Sequence, residues 1–182
     1  LGVFNKDQTT CFITENSSND FFNKEFETIT NLIPFYKLKS KKYKIYPKTL
    51  ANAINQKKTP IVFGCNSAFF YELIPFLEDH VKVVDMIHAF SYEEPFSAEK
   101  LSIPVADRIN KRVVLGNKTK LDFKELYRKN DIPERFMERI VTIKNKVKIP
   151  ESLPEKPRSC PLKILFVARN SFEKRPHYVT EI

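Results

Sequence analysis

Short runs of consecutive apolar residues alternate along this chain with longer mixed stretches of helical period. Pro60-Ile-Val-Phe-Gly64 and Val81-Lys-Val-Val-Asp-Met-Ile87 are the clearest runs. Apolar residues at successive positions, without strict period-two alternation, mark strands covered on both faces, as in a parallel sheet. Both runs are therefore expected to be central. Thr10-Cys-Phe-Ile-Thr14, Arg112-Val-Val-Leu115 and the segment from Glu138 to Ile143 read as further strands. Between them lie helix signals. Asn16-Ser17-Ser18 offers caps for a helix reaching Ile29, and 49–56 is a short helical stretch. Ser67 can cap the segment from Ala68 to Ile74, helical despite Pro75, and Ser97 can cap a helix running toward Asn110. Residues 118–129 are amphipathic, with Leu121 and Leu126 assigned to the apolar side.

Strands that alternate with helices require crossover connections. The expected fold class is therefore α/β: a Rossmann-like, doubly wound parallel sheet with helices on both faces. Pro150, Pro154, Pro157 and Pro161 crowd one stretch, where helix and central strand are both disfavoured. The division expected is a first domain over 1–149, incomplete at its start, a Pro-rich linker over 150–161, and the opening of a second Rossmann-like domain over 162–182. That opening is Leu162-Lys-Ile-Leu-Phe-Val-Ala168, read as a buried strand, followed by a loop and by Pro176 at a helix start. If its domain is incomplete, the segment is expected to be poorly placed or to dock on another copy of the chain.

Composition narrows the function classes. The chain has 182 residues, is 42% hydrophobic and holds three glycines, too few for a Gly-rich dinucleotide fingerprint. An opening Leu1 rather than Met points to a missing native N-terminus. Lysine and arginine number 31 against 22 acids, a net charge of +9, which favours an anionic partner without choosing among nucleic acid, nucleotide and membrane headgroup. Cys11, Cys65 and Cys160 are odd in number and widely spaced, with no zinc-ligand pattern, so no metal site is expected. Free thiols suit a reducing, cytoplasmic setting. No apolar run is long enough to span a bilayer.

Three constellations could carry chemistry. Arg169 and Lys174 are two fixed cations in a loop between an apolar strand and a helix start, where an α/β protein presents an anion site. Arg can hold phosphate oxygens in bidentate fashion and Lys adds a point charge. An ordinary solvated loop is the competing reading. His88 follows a strand at its carboxyl end, the ligand side of an open sheet, where it can donate to a substrate. Glu93 and Glu94 could orient it; a histidine that merely satisfies a loop is the alternative. Lysines and tyrosines interleave over 36–48, a pattern suited to single-stranded nucleic acid or an anionic bilayer, or to a solvated connection whose rings rest on the core.

The ordered set resembles the family 4 glycosyltransferases, two-domain retaining enzymes of the GT-B fold. Their second domain opens with an apolar strand, Gly-Arg, a spacer and Glu-Lys-Gly; here Leu165-Phe-Val-Ala-Arg-Asn-Ser-Phe-Glu-Lys-Arg-Pro-His177 stands in that place. Ala168 and Arg175 replace the family's glycines, and Lys146 and Lys148 replace the Gly and Asp of its Ile-x-Asn-Gly-Val-Asp segment. The resemblance implies that Arg169 and Lys174 bind the diphosphate of a nucleotide-sugar donor and that His88 is catalytic. It also implies transfer with retention to a glycan or lipid-linked acceptor, with no metal or other cofactor. It implies a cytoplasmic parent enzyme, with peripheral contact at the inner face of the membrane as a further expectation. The family's Gly-rich acceptor loop and its Glu-x7-Glu motif are not in these residues, so the 182 residues alone are expected to be inactive. A non-catalytic basic α/β domain that binds nucleic acid or another polyanion is the rival, resting on the net charge and the 36–48 stretch; nucleic acid is the less favoured partner.

Overall fold

The computed structural model describes residues 5–15, 23–38, 46–91, 93–146, 151–152, 165–168 and 176–179. The chain divides into two units, Leu1–Asn145 and Lys146–Ile182.

The first unit holds two parallel sheets among its described residues. β1 (Thr10–Phe12) and β2 (Asn31–Ile33) pair, with α1 (Asn23–Ile29) in the connection. The larger sheet has the order β3 (Ile61–Cys65), β4 (Lys82–Ile87), β5 (Lys111–Val114), β6 (Ile140–Thr142), parallel throughout. The crossovers carry α3 (Ala68–Leu73), α4 (Ala98–Leu101) and α5 (Asn117–Lys129), while α2 (Tyr46–Asn55) precedes β3. This is a mixed α/β arrangement of parallel strands and flanking helices, consistent with a Rossmann-like fold. β4 is interior, as its apolar run requires. β3 is not: among the described residues it ends the order and has β4 alone as a neighbour.

Proline sets where several helices stop. α3 gives way at Leu73 to a 3-10 turn at Ile74–Phe76 around Pro75. The helix expected to run from Ser97 toward Asn110 is only Ala98–Leu101, followed by a 3-10 turn at Ile103–Val105. Pro104 explains it: proline disfavours the helical region for the residue before it and supplies no amide to a helical ladder. The segment before β6 is likewise a 3-10 stretch, Glu134–Arg139, so the strand is shorter than expected. In α5, Phe123 and Tyr127 are buried, while Leu121 is exposed, contrary to its expected place on the apolar side.

Alternation along β4 sends Val83, Asp85 and Ile87 into the buried face. One apolar cluster centres on Ala51, Ile74, Val81, Val83 and Ile109, and a second on Ile87, Val114, Phe123, Tyr127 and Ile140. Inside this face sits a charged pair. Arg112 Nη2 donates to Asp85 Oδ2 at 2.7 Å and Nε bridges both carboxylate oxygens at 3.1 and 3.0 Å. Nη1 donates to the Tyr127 hydroxyl at 2.9 Å, and the Tyr71 hydroxyl donates to Asp85 at 3.2 Å. The guanidinium also lies over the Phe123 ring, 4.2 Å from its centroid. The opposite sheet face is open at β3, where Ile61 and Phe63 are exposed.

In the second unit the described residues Leu165, Phe166 and Val167 are exposed and lie in no strand, not in the buried strand expected there. Pro176–Val179 forms a 3-10 turn. Arg169 and Lys174 lie outside the described residues, as does most of the 36–48 stretch.

Candidate functional site

The carboxyl ends of β3 and β4 come together at one place. Cys65 pairs in register with Met86, which brings His88, two residues further on, to the same side of the sheet. The Cys65 Sγ and His88 Nε2 atoms are 3.1 Å apart, and both residues are exposed. Partial burial pushes the Cys65 thiol above its ordinary range, which favours the neutral S–H. Glu93 and Glu94 are exposed, and no hydrogen bond or ion pair joins either to His88 among the described residues.

After Cys65 the chain turns sharply. Asn66 has φ 48, in the left-handed region, which asparagine tolerates better than most residues because its short side chain bonds locally. The turn delivers Ser67 to the N-cap of α3, where its Oγ accepts from the Phe70 amide at 3.4 Å. The same Oγ lies 2.9 Å from Thr14 Oγ1, tying the end of the β1 segment to the start of α3.

Two clefts border this turn, and Asn66 lines both. One, of about 270 Å³, is lined by Asn66, Ala89, Ser91, Glu94, Ser97 and Glu99, among others. The other, of about 400 Å³, is lined by Cys11, Phe12, Thr14, Phe26, Cys65 and Asn66. Glu15 borders both. In the first cleft Glu99 is buried, and one carboxylate oxygen accepts from the Ser91 amide at 2.7 Å, which fixes the loop after His88. Ser97, expected to cap α4 through its side chain, does not; its buried Oγ has no hydrogen-bond partner among the described residues. Glu15, Glu94 and Glu99 give this cleft three carboxylates, and none of its lining residues among those described is basic. On a chain of net charge +9, a locally acidic cleft is a specific departure from the global field.

His88 directly follows β4, as its place in the sequence implied; it lines neither cleft itself, but the next residue, Ala89, lines the first and its partner Cys65 lines the second. Asn66 and Glu99 did not stand out in the sequence, Ser97 did so only as a helix cap, and Cys65 only as a widely spaced free thiol. Asn66 followed by Ser67 directly after a strand was the one usable signal, a turn residue followed by a cap. Among the described residues no group of three metal-ligating side chains exists, and no helix is long and apolar enough to cross a membrane. Comparison with protein-family models, curated proteins and solved structures finds no match for this chain.

Proposed function

We propose that this chain is the acceptor-side part of a retaining glycosyltransferase that uses a nucleotide-sugar donor. The observation that carries the reading is the acidic, amide- and hydroxyl-bearing cleft lined by Asn66 and Ala89, the residues that follow Cys65 and His88 at the carboxyl ends of parallel strands. Carboxylates and an asparagine amide accept from and donate to sugar hydroxyls, whereas three carboxylates repel a phosphate or a nucleic-acid backbone. The cleft therefore suits a hydroxylated acceptor, and the donor's diphosphate needs cations from elsewhere. Arg169 and Lys174 supply them in this reading, stabilising the charge that grows on the leaving diphosphate.

His88 keeps one ring nitrogen, Nδ1, free to bond in either tautomer. If Nε2 accepts from the Cys65 thiol, Nδ1 carries hydrogen and donates to a sugar oxygen; if Nε2 donates to sulfur, Nδ1 accepts from a hydroxyl. Either state positions a hydroxyl or steadies developing charge at the reacting sugar. The test is kinetic, in the full-length protein that contains both halves of the site. Arg169→Ala and Lys174→Ala should each lower turnover about 10²–10³-fold, as loss of a group acting on transition-state charge does. His88→Ala should lower it as well, while lysine substitutions within 37–44 leave transfer to a soluble acceptor intact. Wild-type turnover in the first two variants, with activity abolished by the lysine changes, would overturn the reading in favour of polyanion binding.

A further inference from the structure

We propose that Cys65 and His88 form a thiol–imidazole pair that makes Cys65 a site of reversible S-thiolation by low-molecular-weight disulfides, with His88 as the base. The proposal rests on geometry and holds whether or not the transferase reading does. Sulfur and Nε2 are at hydrogen-bond distance, 3.1 Å, and both residues are exposed at adjacent strand ends. The 400 Å³ cleft alongside gives a small disulfide room to approach.

Partial burial favours the neutral thiol, so attack needs a base at the moment of reaction. The Cys65 sulfur attacks one sulfur of the reagent as its proton passes to His88 Nε2. The reagent's S–S bond breaks, and the leaving thiolate takes the proton back from the imidazolium. A mixed disulfide forms on Cys65 and one small thiol is released; Cys65 is oxidised, the departing sulfur is reduced, and His88 ends neutral. The reverse exchange, with excess small thiol, regenerates the pair.

Cys11 is the internal control. It lines the same cleft, its thiol is also raised by burial, and no imidazole stands beside it among the described residues. Cleft access and desolvation are therefore shared by the two thiols, while the base belongs to Cys65 alone.

The experiment uses glutathione disulfide on the full chain, with modification at each cysteine followed over time by peptide mass spectrometry. Rates are divided by those of the denatured chain, which removes local sequence effects. Cys65 should react at least about tenfold faster than Cys11, a floor set below the ~10²–10⁴-fold that a positioned general base contributes. His88→Gln retains a hydrogen-bond acceptor for the thiol but cannot take its proton, so Cys65 should slow about tenfold while Cys11 stays unchanged. His88→Ala should slow Cys65 to the same level, with circular dichroism confirming that both variants fold. Equal rates at Cys65 and Cys11, or a Cys65 rate that either substitution leaves unchanged or raises, would overturn the proposal.

Discussion

Asp85 and Arg112 face each other across neighbouring strands, and two tyrosines complete their hydrogen bonding. Burying one charge alone would be prohibitive, but here the carboxylate accepts from the guanidinium and a phenol, and the guanidinium stacks on Phe123. Burial is the largest single influence and works against the charged guanidinium, but the charge and hydrogen bonds of Asp85 together with Tyr127 and Tyr71 exceed it, so Arg112 is held above its ordinary range. Tyr71 is raised far above its ordinary value of 10.0, chiefly by burial and then by the Asp85 charge; Tyr127 is raised by burial first. The sign follows from linkage. In the unfolded chain a tyrosine releases its proton near pH 10.0, while in the folded chain Tyr71 keeps it. The stability is present in full below that pH and is lost as pH rises above it. By about pH 11 Tyr71 alone should cost about 1.4 kcal/mol. Tyr71→Phe should be less stable at neutral pH by about 1 kcal/mol, the worth of its hydrogen bond, yet lose less between neutral pH and pH ~11. Denaturant melts across that range measure it; parallel loss in the variant and the parent would refute the account. This network was not legible in the sequence, because one Asp and one Arg inside apolar runs read equally well as edge positions. Only the register between β4 and β5 brings them together.

At the scale of elements, the strong signals were local ones. The serine at position 67 caps α3 as its place before Ala68 implied, and its hydroxyl also meets Thr14. Ser67→Ala should therefore cost about 1–2 kcal/mol, the upper part of the range for a lost cap. Thr14→Val should cost less, because the cap itself survives. Chemical denaturation of the two variants compares them; equal losses would show that the hydroxyl pair, not the cap, is what matters. Ser97 looked equivalent in sequence and differs in structure: its side chain makes no bond to the first turn of α4, and its hydroxyl is unpaired among the described residues. Leu121 was misassigned for a geometric reason. Leu121 and Leu126 are five residues apart, about 140° around a helix, too far to share a narrow stripe. Phe123 and Tyr127, four apart, do share one, and they carry the packing of α5.

Across the whole molecule, parallel pairing followed from the alternation of runs and helices, and the position of β3 did not. A consecutive apolar run signals burial on two faces, but Ile61 and Phe63 lie exposed on one of them, since nothing in the run specifies how many neighbours a strand has. The candidate site was legible where one position sufficed: a histidine directly after a strand. It was illegible where contacts join distant segments, as for Cys65 with His88, or Glu99 with Ser91. The same contrast bears on stability. Every residue of both apolar clusters, and the Asp85–Arg112 pair, falls within Leu1–Asn145. A unit with its own core folds by itself, since burial of that core is the main favourable term opposing chain entropy. A chain ending at Asn145 should therefore unfold in a single cooperative transition. Its stability should match that of the 182-residue chain to within about 0.5 kcal/mol, the range for changes remote from core features. Thermal melts followed by near-ultraviolet circular dichroism read the tertiary packing directly, through the Phe123 and Tyr127 rings stacked beside Arg112. Retained far-ultraviolet signal with no cooperative near-ultraviolet transition would mean that residues after Asn145 help hold this core, and the division into two units would fail as a description of folding.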